Sequence, residues 1–378
     1  MDGRSGLLAR RDFGVFVDAL LARYRVIGPR VRDGAIVYDA IGGADDLAVG
    51  WIDEQEAGRY RLAPDPQGRM FGYAVGPHTW KHHLFPPRQD LWSGTRDGTE
   101  FTIEPAVVEA APTAFFGVRA CELAAIAIQD TVFLKGPYVD AGYAARRAAS
   151  FFVAINCIRS AATCFCASVD SGPAVRSGFD LALTELAGDR FLLEAGSEAG
   201  VALLETLALP PGTAAAREEA ADLVESAGAT QIRGLRSNAE RLLKDNLEHP
   251  QWADVASRCL SCTNCTLVCP TCFCSTVEDV TDLTATHISR QRRWDSCFTL
   301  EHSYIHGGSI RREPASRYRQ WLTHKLGFWH DQFGTSGCTG CGRCIAWCPA
   351  GIDLTEEVAA IAGGVHVVPH VPEEVPST

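Results

Sequence analysis

The chain has 378 residues, 46% of them hydrophobic and 21% charged, with a formal net charge of −11. That length suits two or three domains and that composition buries real cores, which excludes a disordered chain, while the acidic balance excludes a nucleic-acid backbone as the main partner. No stretch reaches the roughly 18 apolar residues of a spanning helix, and no apolar run with a cleavage site follows Arg4, Arg10 and Arg11, so a cytoplasmic protein with no membrane segment is expected.

In chain order, Asp12 is placed to cap a helix over residues 13–24, with Phe13, Phe16, Val17, Leu20 and Leu21 on one face. Gly28-Pro29 stops it, and short strands are expected over 35–38 and 47–52. Residues 59–88, rich in Gly, Pro and aromatics, read as a structured loop, and residues 91–92 and 101–103 as a hairpin. A strand over 113–118, a helix over 121–132 and a strand over 150–155 form a strand–helix–strand unit, which usually makes a parallel pair. A hairpin over 180–194 and helices near 200–207, 214–227 and 235–247 follow, and His249-Pro250 marks a boundary. The predicted fold is an α/β N-terminal domain, residues 1–249, and a helical two-cluster ferredoxin-like domain, residues 250–378.

Fifteen cysteines point to metal in a chain of this size, and their clustering is decisive. Cys259, Cys262, Cys265 and Cys269 precede Pro270; Cys338, Cys341, Cys344 and Cys348 precede Pro349. Both runs read C-x2-C-x2-C-x3-C-P, in which three thiolates wrap one [4Fe-4S] cluster and the fourth reaches the other. One cluster is therefore assigned to Cys259, Cys262, Cys265 and Cys348, and a second to Cys338, Cys341, Cys344 and Cys269. Gly340 and Gly342 give the second loop its room. Zinc, the alternative, takes separated pairs more often than such runs. Residues 270–337 between the runs are expected to be helical, over 283–294, 300–306 and 318–329.

Cys121 opens the helix after the 113–118 strand, and Cys157 follows the 150–155 strand. Parallel strands would put both at one carboxyl edge, where α/β sheets place ligands, and the helix start would bias Cys121 toward thiolate. With Cys164 and Cys166 they define a third [4Fe-4S] site, the alternatives being zinc or buried packing. Glu122 and Arg119 either tune that site or are ordinary surface residues. Cys272, Cys274 and Cys297 read as packing near the clusters rather than ligands, and His78, His82 and His83 as packing or exposed residues. Nothing matches a phosphate-binding glycine loop, and no C-x2-C pair is left for a nickel–iron centre, so no flavin, nucleotide or catalytic residue is assigned here.

Several segments carry a resemblance. Val26-Ile27-Gly28-Pro29 with Tyr38-Asp39, Gly76-Pro77-His78-Thr79-Trp80-Lys81 and Leu84-Phe85-Pro86-Pro87 come first. Gly117-Val118-Arg119-Ala120-Cys121-Glu122-Leu123, Asn156-Cys157, Thr163-Cys164-Phe165-Cys166, Trp294-Asp295-Ser296-Cys297 and the two cysteine runs complete the set. Together they resemble the β (iron–sulfur) subunits of cytoplasmic NADP-linked nickel–iron hydrogenases, or sulfhydrogenases, and the corresponding iron–sulfur subunits of anaerobic sulfite reductases. Ala120 departs from that pattern, which has proline before the cysteine. The resemblance implies an electron-transfer subunit of a multi-subunit oxidoreductase. Its partners would be a flavin- and NAD(P)H-binding subunit together with the small iron–sulfur and the catalytic (nickel–iron) subunits of the same complex. A place in a sulfite or sulfur reductase is the alternative; a redox-sensing or structural iron–sulfur scaffold is a reading of another class.

Overall fold

The computed structural model describes residues 4–363. Strands β1 (Ser5–Ala9), β2 (Arg25–Arg32) and β3 (Ala35–Ala40) open the chain, followed by the hairpins β4 (Trp51–Glu56) with β5 (Arg59–Pro64) and β6 (Arg88–Asp97) with β7 (Glu100–Pro105). Then come β8 (Thr113–Val118), β9 (Ser150–Ile155), β10 (Leu181–Leu186) and β11 (Arg190–Ala195). The main sheet runs β1-β11-β10-β9-β8-β2-β3. Its four middle strands β10, β9, β8 and β2 are parallel, and the flanking pairs are antiparallel.

Helices cover both faces of this sheet, which is why its strands read as continuous apolar runs. Phe116, Val153 and Leu183 face the helices Phe13–Leu21 and Glu198–Leu207 through Phe16, Val17, Leu20 and Leu203. Phe115 and Phe152 face the opposite way, against Leu123 and Ile126 of the helix Ala120–Leu134 and Tyr143 of Ala141–Ala148. Each such fully buried side chain contributes about 1.5–3 kcal/mol.

The expected strand–helix–strand unit and the turn of the β10–β11 hairpin stand where the patterning puts them. Other elements differ. Gly28-Pro29 lies inside β2 rather than ending a helix. Pro29 costs no ladder bond, because β2 pairs with β8 only through Arg25–Ile27. Asp12 makes no side-chain cap. The strand expected over 47–52 begins later, at Trp51, because the carboxylate of Asp46 accepts from the Gly42 amide at 2.7 Å and holds a turn there. Residues 59–88 contain β5 and the short helix Lys81–Leu84. Gly76 passes so close to β3 that a Cβ would lie 1.8 Å from the Ile36 carbonyl oxygen.

The interval between the cysteine runs is not wholly helical. Residues expected as a helix over 283–294 belong to a hairpin, β12 (Ser275–Thr281) with β13 (His287–Trp294). Its turn is built by Asp282, whose carboxylate accepts from the amide and hydroxyl of Thr286 at 2.9 Å. Across it, Arg290 clasps Asp279 at 2.7 Å and Arg293 meets Glu278 at 2.8 Å. β13 also pairs with β6, so a sheet β12-β13-β6-β7 runs across residue 250. Residues 300–306 form a single turn and a short bridge, and only the last expected helix is present, as Pro314–Thr323 continuing through a π turn to Phe333.

Candidate metal centres

The two cysteine runs fold into loops of one shape. Ser261 and Gly340 take φ of 51° and 61°, and Thr263 and Gly342 take 69° and 74°. In each loop the first sulfur accepts an amide hydrogen bond at 3.4 Å, Ser261 to Cys259 and Gly340 to Cys338. A short helix follows each, Asn264–Leu267 and Arg343–Ala346. The left-handed positions aim backbone amides at sulfur, as a cradle for an anionic centre requires.

Cys348 lines one cavity with Cys259, Cys262, Cys265 and Cys344, walled by Phe298, Tyr318, Trp321 and Ile352, and Cys269 lies beside Cys338, Cys341 and Cys344. Burial raises the Cys265 thiol, and the adjacent Cys259, Cys348 and Cys262 add to the effect. Cys344 is raised the same way by burial and by Cys338, Cys341 and Cys269. Ile345 is buried in the core around the first cavity, and Trp347 stacks on Tyr60 at 5.0 Å.

The second set is pressed against the α/β part of the chain. A Cβ on Gly342 would lie 2.4 Å from the Thr163 carbonyl oxygen, and one on Gly340 2.6 Å from the Cys166 amide nitrogen. The Phe165 amide donates to the Gly340 carbonyl at 2.8 Å. Ser261 and Thr263, both partly exposed, fill the same positions in the other run. Gly340→Ala is therefore expected to cost at least about four irons per chain, whereas Ser261→Ala leaves the count unchanged; iron analysis of the two variants checks this.

At the carboxyl edge of β8 and β9, Cys121 lies near Cys166, and Cys166 lies near Cys157 and Cys164. Cys121 lies in the first turn of Ala120–Leu134 and packs with Cys166 and Cys341. Cys164 is raised by burial and by Cys166 and Cys157. Burial also raises Cys121, against the expected pull of the helix start, because desolvation outweighs the helix dipole in the metal-free chain. The four thiols have polar neighbours suited to anionic sulfur: Arg119 lies 3.8 Å from the Cys157 sulfur, and Gln231 donates to Cys166 at 3.1 Å. Arg119 and Glu122 are 2% and 1% exposed, not surface residues. Among the described residues no three His, Cys, Asp or Glu side chains are grouped as a single metal ion would hold them.

Glu122 is the hub between this set and the second run. It accepts from Arg343 at 2.6 Å, Tyr38 at 2.9 Å and Trp80 at 3.0 Å. Arg343, inside the C-x2-C-x2-C run, also donates to the carbonyls of Gly76 and His78. Two buried lysines escaped the sequence reading. Lys325 donates to the Cys269 sulfur at 3.3 Å and to Thr271 at 2.9 Å. Lys81 donates to the Thr266, Leu267 and Cys272 carbonyls, and burial lowers its pKa to about 8. Gln231 was also missed; none of the three carries a local signal. His78, His82 and His83 pack in a neutral group, their pKa values lowered by burial, with His82 against Trp294 at 4.8 Å. Cys272 lies beside Cys269, and Cys274 beside Cys297.

Among known families, the one described as a 4Fe-4S dicluster domain matches residues 258–352. Sulfhydrogenase 2 subunit beta of Pyrococcus furiosus is 32% identical over 267 residues, 66% of this chain and 74% of that protein. No solved structure matches the chain.

Proposed function

The chain belongs to the family of the sulfhydrogenase beta subunits, and on that premise we propose that it is an iron–sulfur electron-transfer subunit of a hetero-oligomeric oxidoreductase, without a catalytic centre of its own. It sits between one partner that binds flavin and NAD(P)H and another that carries the catalytic nickel–iron centre. The observation that supports this reading is the side-by-side packing of the two runs, with Cys348 in the cavity of Cys259, Cys262 and Cys265 and Cys269 beside Cys344.

The residues that would hold [4Fe-4S] clusters are Cys259, Cys262, Cys265 and Cys348; Cys338, Cys341, Cys344 and Cys269; and Cys121, Cys157, Cys164 and Cys166. Bound there, such clusters take up and release single electrons, at potentials set by hydrogen bonds to sulfur, local charge and exposure. The chain supplies those terms unequally. Lys325 places a buried cation on Cys269, and Arg343 lies against Cys341. Cys262, by contrast, is exposed, which makes the first set the natural port to a partner. Cysteines left unpaired fit a reducing, cytoplasmic compartment.

The reading is tested by purifying the chain with the proteins that accompany it in its source. A nickel–iron partner should co-purify, and hydrogen gas should reduce the iron–sulfur signals of the complex in EPR. A sirohaem partner would move the assignment to sulfite reduction; a chain that stays alone and accepts no electrons would remove the electron-transfer role.

A further inference from the structure

Three cysteines lie outside the sets above, and two of them form a site of another kind. Cys274 stands one residue before β12, and the amide of Asp295, just past β13, donates to its carbonyl at 2.9 Å. The hairpin thus delivers Cys297, two residues further on, to the same end. The Cys274 sulfur hydrogen-bonds with both the Cys297 thiol and the His302 ring. His302 Nδ1 lies 2.8 Å from Asp295 Oδ2. Asp295 is itself fixed by the Ser296 amide at 2.7 Å and the Thr299 hydroxyl at 2.8 Å. All four residues are partly exposed.

We propose that Cys274 and Cys297 form a redox-active dithiol acting on a small disulfide, with Cys274 as the attacking sulfur, His302 its proton acceptor, Asp295 the group that orients His302, and Cys297 the resolving thiol. A nucleophile, a base within reach and a third group holding the base is the arrangement of activated thiols.

The chemistry balances with the disulfide alone. The Cys274 thiolate attacks one sulfur of the disulfide, the S–S bond breaks, and the departing thiolate takes the proton held by His302. Cys297 then gives its proton to the now neutral His302 and attacks the Cys274 sulfur of the mixed disulfide, and the second thiolate takes that proton and leaves as a thiol. The protein gives up two electrons and two protons; the small disulfide becomes two thiols.

The surroundings favour this resting state. Hydrogen bonds from Cys297 and from His302 lower Cys274 to about 4, and the same sulfur raises His302 to about 9. The other titratable groups facing the pair are His324, kept neutral by burial, Cys265 of the first set, Cys272, and the buried Lys81 and Lys325. Thiolate and imidazolium therefore coexist across the neutral range.

The test uses the full chain purified anaerobically with its metal. It is treated with oxidised glutathione, trapped with iodoacetamide and read by peptide mass spectrometry. The wild type should yield a Cys274–Cys297 disulfide, and Cys297→Ser should stop at a glutathione adduct on Cys274. Alkylation of Cys274 should persist down to about pH 5 in the wild type and begin at higher pH, toward the ordinary thiol range near about pH 8.5, in His302→Gln. Iron content should be the same in all variants. An adduct missing from Cys274 in Cys297→Ser, an ordinary-thiol profile in the wild type, or lost metal in Cys274→Ser would each overturn the proposal.

Discussion

Replacing Glu122 with alanine is expected to lower the stability of the chain by about 3–5 kcal/mol, the cost of removing one partner from a buried ion pair. Arg343 and Glu122 have side chains 0% and 1% exposed and meet at 2.6 Å. Without the carboxylate, a guanidinium is stranded among carbonyls, and the Tyr38 hydroxyl and Trp80 indole N–H lose their acceptor. The melting temperature should fall by on the order of 10 °C. The double variant Glu122→Leu with Arg343→Met should recover much of the loss, since replacing both charges removes the desolvation burden. A single variant that melts within a degree or two of the wild type would show that the pair does not fasten the second run to the α/β sheet.

Cys344→Ala is expected to remove about four irons and four labile sulfides per chain, one cluster's worth, and to break electron transfer through the chain. Cys344 lies against Cys338, Cys341 and Cys269. The Cys121 set should keep its metal, because Cys121, Cys157, Cys164 and Cys166 come from other segments. A variant with full metal content and full turnover would refute the assignment of Cys344.

How much of this is legible in the sequence depends on whether the determining contact is local. The cysteine runs are, because their spacing alone puts three sulfurs on one loop, with the fourth just past a short helix. β8 and β9 are legible too, since strands buried on both faces read as unbroken apolar runs such as Thr113–Val118. The hairpin β12–β13 is not. Its strands carry charged cross-strand pairs in place of an apolar stripe, and its third neighbour, β6, lies far away in sequence. Lys325 and Gln231 are invisible for the same reason: only the folded chain carries them to Cys269 and Cys166. The glycines held more than was drawn from them. Gly340 and Gly342, where the other run has Ser261 and Thr263, mark which loop is packed against Thr163 and Cys166.

The most direct test of the account is the iron and acid-labile sulfide content of the anaerobically purified chain, with EPR of the reduced protein. It should hold about twelve irons and twelve sulfides, as three cubanes require. About eight would leave the interlocked pair and contradict the site at Cys121, Cys157, Cys164 and Cys166, and zinc without sulfide would contradict the electron-transfer reading itself.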